Sequence, residues 1–293
     1  MARKLIFPII ALLLLFGCKA KPDEMDNATH TETEQSDEIV MDSEMDSPVE
    51  NDNPLQSYQY SWTKSEDMPD VVIIIDDFGN SGGQLLEDFA DLPDEVVFAV
   101  LPDLSHSEEA ASMASRKGHE VIIHIPMEAE NSSISPGEKY ISKDMDEKDI
   151  MKTLDGFIAQ MPMAVAANNH MGSATTASLP TMKTVLSHLA KKGLFLIDSA
   201  TTSQSAVYSA ARDLDLFTAK RDIFLDVPDV SDATLASKIE SLAKYKGRKE
   251  PIVIISHCHN REKLDAMRKF ITQIESMGLR LVSLRDAFPK VRA

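Results

Sequence analysis

The sequence has few cysteines, few glycines and few basic residues for its length. Its 293 residues include 2 Cys and 11 Gly, and 30 Lys and Arg stand against 47 Asp and Glu. Two cysteines exclude a disulfide scaffold and a zinc cluster built from thiolates. The mixed composition excludes a collagen-like, coiled-coil or wholly disordered chain. The deficit of basic residues argues against nucleic acid as a partner, because phosphate binding needs a basic surface.

Residues 1–18 have the pattern of a secretory signal peptide. Two basic residues precede an apolar run over 5–16, which is shorter than the roughly 20 residues that span a bilayer. Cys18 ends a Leu-Phe-Gly-Cys sequence that resembles a bacterial lipobox, so we expect it to be lipidated. An ordinary signal peptide with an unrelated cysteine is the alternative. Because Lys19 and not Asp follows, we expect the outer membrane, facing the periplasm, if the cell is Gram-negative.

The segment after the signal is strongly acidic. Residues 19–70 hold 15 Asp and Glu against 3 Lys and show no hydrophobic period. Such a segment cannot bury enough apolar surface to offset its chain entropy, so we expect a disordered tether over 19–68. An acidic tail that binds metal or a partner is the alternative. The aromatic cluster Tyr58–Trp62 is expected to dock on the domain or to start it, and the folded domain is expected over 69–293.

From residue 71 onward, short apolar runs alternate with longer amphipathic stretches. The runs predict strands buried on both faces, as in a parallel sheet. They are Val71–Ile75, Val96–Leu101, Val121–Ile125, Ala164–Ala167, Leu194–Ile197, Ile223–Leu225, Ile252–Ile255 and Arg280–Leu284. The stretches between them predict helices at Ser107–Lys117, Met151–Gln160, Leu179–Lys192, Ser203–Leu214, Asp232–Tyr245 and Arg261–Met277. We favour a (β/α) barrel of seven or eight strands over an open doubly wound sheet, and no nucleotide-binding glycine motif follows the first strand.

Polar residues follow most of the predicted strands. The carboxyl ends of the strands in a parallel barrel meet at one face, so these residues are expected to converge there. A single Asp after a strand is more often a helix N-cap, and a single buried His is more often structural. A functional site is therefore indicated by the convergence of several such residues on one face and not by any one of them. The adjacent Asp76 and Asp77 reach one cavity only if the end of their strand breaks the alternation of side chains. Carboxylates beside imidazoles form either a proton-transfer pair or a metal site, and one Asp with two His suits zinc.

Five segments resemble, in chain order, the divergent polysaccharide deacetylase family of bacteria. They are Ile73–Gly79, Gly118–Glu128, Asn168–Ser173, Phe195–Thr202 and Arg221–Asp226. The resemblance extends from about residue 70 to residue 288. It implies a distorted (β/α) barrel and the metal-dependent removal of N- or O-acetyl groups from a polysaccharide. Peptidoglycan or another acetylated envelope glycan would be the substrate, and zinc the most suitable divalent metal.

The resemblance also implies roles for four strand-end residues. It makes Asp76 the general base and His257 the general acid, whereas Asp77 and His124 are metal ligands. In this scheme a metal-bound hydroxide attacks the acetyl carbonyl, and the metal and backbone N–H groups stabilise the oxyanion.

The third ligand departs from the family pattern, in which a second His stands four residues after the first. Glu128 occupies that position, so either Glu128 replaces the imidazole or His170 comes in from the next strand end. We prefer His170, because its block of polar residues otherwise has no function. Asp198 and Arg212 are candidates for orienting the general acid or binding sugar, and Asn169 is a further candidate for the ligand or substrate set.

The leading hypothesis is therefore a deacetylase that acts on carbohydrate of the cell envelope and reaches the membrane through a lipid anchor only. A catalytically inactive, glycan-binding relative is one alternative. Another metal-dependent barrel hydrolase, a phosphoesterase or an amidase, is the other. Cys258 is expected to be a structural thiol without a disulfide partner.

Overall fold

The computed structural model describes residues 53–62, 67–131 and 133–289. The predicted signal peptide, Cys18 and most of the predicted tether lie outside these residues. The strands are β1 (Val71–Phe78), β2 (Val97–Val100), β3 (Val121–Met127), β4 (Ala166–Met171), β5 (Leu196–Asp198), β6 (Thr218–Lys220), β7 (Ile223–Phe224) and β8 (Ile252–His257).

Eight α-helices accompany the strands in the described part of the chain. They are α1 (Gln84–Ala90), α2 (Ser107–Lys117), α3 (Glu147–Gln160), α4 (Leu179–Lys191), α5 (Val207–Asp213), α6 (Asp232–Ser241), α7 (Arg261–Ser276) and α8 (Leu284–Ala287). Two 3-10 helices lie at Pro54–Ser57 and Leu242–Tyr245. In these ranges no helix combines the length and the apolar character that crossing a membrane requires.

All strands pair in parallel, in the order β6-β5-β4-β3-β2-β1-β8-β7, and the curl of this sheet brings its two edge strands near each other. The edge strands β6 and β7 are separated along the chain by Arg221 and Asp222 alone. Two intervening residues span at most about 10 Å, whereas the edges of a flat eight-stranded sheet lie roughly 34 Å apart. Nevertheless, the segment 218–224 pairs first with β5 and then with β8, so the sheet must be curled. The predicted distorted barrel is confirmed.

Side chains along β1 alternate between two cores. Ile73 and Ile75 pack in a large core between the sheet and the helices, whereas Val72 and Ile74 pack in a smaller core inside the barrel. Other strands supply to the inner core Val97, Ala99, Ile122, Ala166, Ile197, Val253 and Ile255. Every second residue after these inner positions also points into the barrel. At the carboxyl ends of the strands, this alternation determines which polar residues face the mouth of the barrel.

One predicted strand is wrong, and one observed strand was not predicted. The predicted strand at 280–284 is reduced to one bridge between Leu281 and Val71. The Ser283 hydroxyl accepts a hydrogen bond from Asp286 N at 3.2 Å and caps α8, which ends the extended chain. Conversely, β6 reads Thr-Ala-Lys and has no apolar run from which a strand could be predicted.

The folded unit begins before residue 69, the start that the sequence predicts. Leu55 is fully buried, and Trp62 Nε1 donates a hydrogen bond to the carbonyl of Ile239 in α6 at 3.1 Å. The residues 53–62 thus pack on the outside of the barrel. The expected docking of the aromatic cluster is seen, because an indole buried in this way must place its N–H on an acceptor.

Candidate active site

The end of β1 brings two carboxylates into one cavity. Asp76 continues the inward period of Val72 and Ile74, and Asp77 has a left-handed backbone with φ of 72°. This conformation costs about 1–3 kcal/mol in a non-glycine residue and recurs at functional sites. It breaks the alternation, so that both carboxylates reach His124: Asp77 Oδ1 lies 3.2 Å and Asp76 Oδ2 3.7 Å from its Nε2.

Three potential metal-ligand atoms form a nearly equilateral triangle. Asp77 Oδ1 lies 3.2 Å from His124 Nε2 and 3.0 Å from His170 Nδ1, and the two nitrogens are 3.2 Å apart. Tetrahedral coordination with bonds of 2.0–2.1 Å places ligand atoms about 3.3–3.4 Å apart. Asp77 Oδ1 is buried and, although close to both imidazoles, has no hydrogen bond of proper geometry. The donor set and its spacing therefore fit a metal ion.

His170 and not Glu128 is the third member of this triangle. His170 lies on the inward period of β4, two residues beyond Asn168 and four beyond the inner-core Ala166. The Glu128 carboxylate accepts a hydrogen bond from Lys143 N at 3.0 Å and fastens the long loop after β3. The structure thus places at the site the residue that the sequence analysis preferred.

A sharp turn follows His170 and fixes the end of β4. Met171 and Gly172 both have left-handed backbones, with φ of 54° and 88°. A Cβ atom on Gly172 would lie 2.9 Å from Met127 Cβ, so a larger residue would displace β3.

Asn168 is a site residue that the sequence analysis did not assign. Its buried amide accepts a hydrogen bond from His124 Nδ1 at 2.7 Å and donates one to Asp76 Oδ1 at 2.8 Å. One side chain thereby orients an imidazole and a carboxylate, and it leaves His124 Nε2 facing Asp77. The neighbouring Asn169 points out of the barrel and accepts a hydrogen bond from the backbone N–H that follows β5. The two-residue period from Ala166 would have distinguished the two amides.

His257 is held by Asp226 at the mouth of the barrel. His257 pairs in register with Asp76 across β1 and β8, and its Nδ1 lies 2.9 Å from Asp226 Oδ2. Lys263 Nζ contacts the same carboxylate oxygen at 2.5 Å. Burial alone would lower the pKa of His257, but the Asp226 carboxylate raises it above the ordinary value. The shift favours the protonated imidazole that a general acid requires.

Asp198 and Arg212, the candidates for orienting the general acid, do not contact it. Ile197 belongs to the inner core, so the next side chain, Asp198, points outward and accepts a hydrogen bond from Ser205 Oγ at 2.7 Å. Arg212 is exposed on α5 and lies 3.6 Å from the carboxylate of Asp213. The period of β5 explains the correction for Asp198, because adjacent residues of a strand face opposite sides of the sheet. Arg212 lies on a helix, where that period does not apply.

His259 adds a further imidazole beside the triangle. Its Nε2 lies 2.6 Å from Asp77 Oδ2, and its ring stacks on His257 with the centroids 5.2 Å apart. Lys263 Nζ lies 3.3 Å from its Nδ1 and so connects both imidazoles of the last strand end. No role for His259 was predicted from the sequence.

The surroundings shift the pKa values of the two adjacent carboxylates, Asp76 and Asp77, in opposite directions. Burial raises the pKa of Asp76 above its ordinary value, although His124 and His257 act in the opposite direction. Burial also acts to raise the pKa of Asp77, but the surrounding imidazoles hold it well below its usual range. Burial would lower the pKa of His124, but the two carboxylates raise it to about 9. These opposite shifts favour the anionic form of Asp77, which a metal ligand requires, and make Asp76 easier to protonate than an ordinary carboxyl group.

An active-site cleft of about 640 Å³ opens beside the triangle. Asp77, His170 and His259 form its floor, and its walls are the loops 101–104 and 134–139. Cys258 follows β8 and is partly buried, and burial raises the pKa of its thiol far above the ordinary value. Such a thiol is inert, which agrees with the structural role expected for it.

The sequence matches the model of a known protein family. Residues 73–288 match the family model described as divergent polysaccharide deacetylase. The uncharacterized protein YibQ of Escherichia coli strain K12 is 32% identical over 193 residues, which cover 64% of this chain and 58% of that protein. An uncharacterized protein of Haemophilus influenzae is 30% identical over 160 residues, or 53% of this chain and 55% of the relative. The chain thus spans little more than half the length of these curated relatives.

Solved structures resemble the fold. An uncharacterized protein from Agrobacterium tumefaciens C58 superimposes with a TM-score of 0.66 and 20% identity, covering 80% of this chain and 94% of that one. A lactam utilization protein from Thermus thermophilus superimposes with a TM-score of 0.51 and 14% identity, covering 73% of this chain and 100% of that one. At such identities the likeness concerns the fold alone. On the match over residues 73–288, the chain belongs to the divergent polysaccharide deacetylase family.

Proposed function

We propose that this protein is a metal-dependent hydrolase that removes acetyl groups from an N-acetylated carbohydrate of the cell envelope. The observation that carries the proposal is the triangle of Asp77 Oδ1, His124 Nε2 and His170 Nδ1, with a buried base and an oriented imidazole on its border. Membership of the family supports the choice of carbohydrate and acetyl group.

Asp77, His124 and His170 would hold a divalent metal, and zinc suits two imidazoles and one carboxylate with an open fourth position. When bound, such a metal polarises a carbonyl oxygen and lowers the pKa of a coordinated water. Asn168 keeps the proton of His124 on Nδ1, so that the lone pair of Nε2 faces the metal position.

Asp76 is the general base of the proposed reaction. Its Oδ1 accepts the hydrogen bond of Asn168, which leaves Oδ2 on the side of His124 to take a proton from the attacking water. The raised pKa of Asp76 suits this role, because a base with a pKa nearer to neutrality transfers protons in both directions more readily.

His257 is the general acid. Asp226 occupies its Nδ1, so the proton on Nε2 is the one that passes to the departing nitrogen of the sugar. Asp76 and His257 are cross-strand neighbours, and the base and the acid therefore border the triangle from adjoining strands. Acetate and a free amine are the products.

The test is acetate release from N-acetylglucosamine oligomers. We expect release by the zinc-loaded protein, loss of release after chelation and its return when zinc is restored, with the metal content measured separately. Zinc-loaded protein that binds the oligomers without releasing acetate would favour an inactive glycan-binding relative. Phosphate release from phosphoesters, without acetate release, would favour a phosphoesterase.

We also propose that Cys18 carries a lipid and that, if the cell is Gram-negative, the protein faces the periplasm from the outer membrane. The lipobox-like sequence that ends at Cys18 supports the lipid anchor, and Lys19 at the next position supports the outer membrane. Metabolic labelling with a fatty-acid probe is expected to mark the wild-type chain and not Cys18→Ala. Equal labelling of both chains would refute the anchor.

A further inference from the structure

A second pocket lies beside the catalytic imidazole, on the side away from the active-site cleft. It has a volume of about 650 Å³ and lies between β7 and α6, with Phe224 in its wall. The Phe224 ring stacks on His257 with the centroids 5.6 Å apart, and His257 in turn stacks on His259, which lines the active-site cleft. A row of three rings therefore joins the cleft to this pocket. A chain of sugars long enough to pass the general acid would reach it.

Three cationic side chains line the pocket: Arg221, Lys238 and Lys244. The Arg221 guanidinium donates to the backbone carbonyls of Ser199 and Ala200, at 2.7 and 2.9 Å, and is partly withdrawn from solvent. No carboxylate in the described ranges forms an ion pair with any of the three. Burial and the charges of the other two cations lower the pKa of Lys238. Lys244 is exposed, but Arg221 and Lys238 are partly buried. Partly buried cations without a carboxylate partner are unusual, because desolvation of a charge needs compensation.

The acidic residues near the pocket are already occupied. Asp222 lies in its wall, but both carboxylate oxygens bind Arg248, at 2.8 and 2.7 Å, and one also accepts a hydrogen bond from Val253 N at 3.0 Å. Asp226 binds His257 and a lysine of α7. Nearby carboxylates therefore act on Arg221 and Lys238 only at a distance, and in the described part of the chain none of them pairs directly with a cation of the pocket.

We propose that this pocket binds an anionic group of the substrate, a carboxylate on a sugar near the one that loses its acetyl group. The inference rests on the proposed function, since it takes the substrate to be a glycan that passes His257. The ammonium groups of Lys238 and Lys244 and the Ser237 hydroxyl can donate to carboxylate oxygens. Arg221 adds positive charge beside them, with its guanidinium 3.6 Å from the centroid of the Phe224 ring. The substrate class is accordingly an acidic N-acetylated glycan and not a neutral one.

Calorimetric titration tests this assignment. The full chain carries Asp76→Asn to prevent turnover and is loaded with zinc. The probes are an N-acetylglucosamine oligomer, an oligomer of equal length that carries glucuronate, and inorganic phosphate. We expect the glucuronate oligomer to bind about tenfold more tightly, as expected for one hydrogen-bonded charge pair. The double variant Lys238→Gln/Lys244→Gln is expected to lose this preference, whereas Lys249→Gln, an exposed lysine outside the pocket, keeps it.

Each outcome decides the assignment. Equal affinity for the two oligomers overturns it, and phosphate binding without a preference between them shows a site for free phosphate only. The single variant Lys244→Gln, at an exposed position, is expected to lower the preference about threefold and serves if the double variant is unstable. The proposed function fails separately, through a lack of acetate release from either oligomer with Asp76 intact, and the binding preference does not depend on that result.

Discussion

The two sides of the barrel differ in how their strands are held. One side contains four long strands, β1, β3, β4 and β8, with 8, 7, 6 and 6 residues, and the shorter β2, with 4. The other contains β5, β6 and β7, with 3, 3 and 2 residues. Every residue proposed as metal ligand, base or acid lies in one of the four long strands. The side chains that need accurate placement therefore lie on strands with a long hydrogen-bonded ladder, because such a ladder tolerates little displacement.

The short-strand side is held by side chains at the seam, the junction of β6 and β7 around Arg221 and Asp222. Arg221 reaches back to the carbonyls after β5, and Asp222 binds Arg248 through both oxygens as well as a backbone N–H of β8. These contacts substitute for the ladder bonds that strands of two or three residues cannot make. We therefore expect substitutions on the long-strand side to act on chemistry and substitutions at the seam to act on stability.

The largest effect is expected from Asp77→Asn on the long-strand side. Removing the anionic ligand should abolish stoichiometric zinc binding and lower acetate release at least about a thousandfold, because the contribution of the metal is worth several kcal/mol. Metal analysis and acetate release measure the two effects. Asp198→Asn, the matched change at the end of the short strand β5, should keep zinc, and its loss of zinc would contradict the comparison.

Asn168→Ala should have the next largest effect. It leaves His124 and Asp76 without their shared partner, and loss of such an outer contact lowers metal affinity or activity about 10- to 100-fold. Zinc affinity by chelator competition and acetate release are the measurements. Asn169→Ala, which removes an outward-facing amide one residue away, is the control. Equal losses in the two variants would show that Asn168 only supports the strand.

Zinc affinity should depend on pH through His124. In the metal-free protein its pKa is raised to about 9, so below that pH the imidazole must lose a proton before Nε2 can bind metal. Affinity should therefore rise with pH by about tenfold per unit up to pH 9 and then level off, because one proton is released per metal bound. Zinc dissociation constants measured between pH 6 and pH 10 test this. An affinity that does not change with pH would remove His124 from the ligand set.

A seam substitution should have the opposite profile. Arg248→Met leaves Asp222 without its bidentate partner and should lower the free energy of unfolding by about 2 kcal/mol, the cost of breaking a partly buried ion pair. Urea unfolding measures this loss, and acetate release from a neutral oligomer per folded molecule should stay within about twofold. Arg268→Met, which removes an exposed pair of 3.6 Å with Asp265, is the matched control with little change in stability. A large loss of activity in folded Arg248→Met would contradict the division between the two sides.

The sequence allowed much of the site to be predicted, because its polar residues follow apolar runs. The ends of β1, β3, β4 and β8 were identified as sources of Asp76, Asp77, His124, His170 and His257, which the structure brings together. Asn168 and the pairing of Asp226 with His257 were not predicted. The first requires following the two-residue period from Ala166, and the second joins residues 31 apart in the chain. The same period would have shown that Asp198 points away from the site.

Composition, period and motifs were enough to establish the alternation of strands and helices, the family and the set of side chains available at one end of the barrel. Which of those side chains meet depends on the folded chain. The left-handed backbone of Asp77 directs the two adjacent carboxylates to the same cavity, and the register of β3 with β4 places Asn168 against His124. Likewise, the scarcity of basic residues was evident from composition, yet the gathering of Arg221, Lys238 and Lys244 around one pocket was not. Composition and period specify which face a residue takes, whereas proximity across the chain depends on strand order, register and the curl of the sheet.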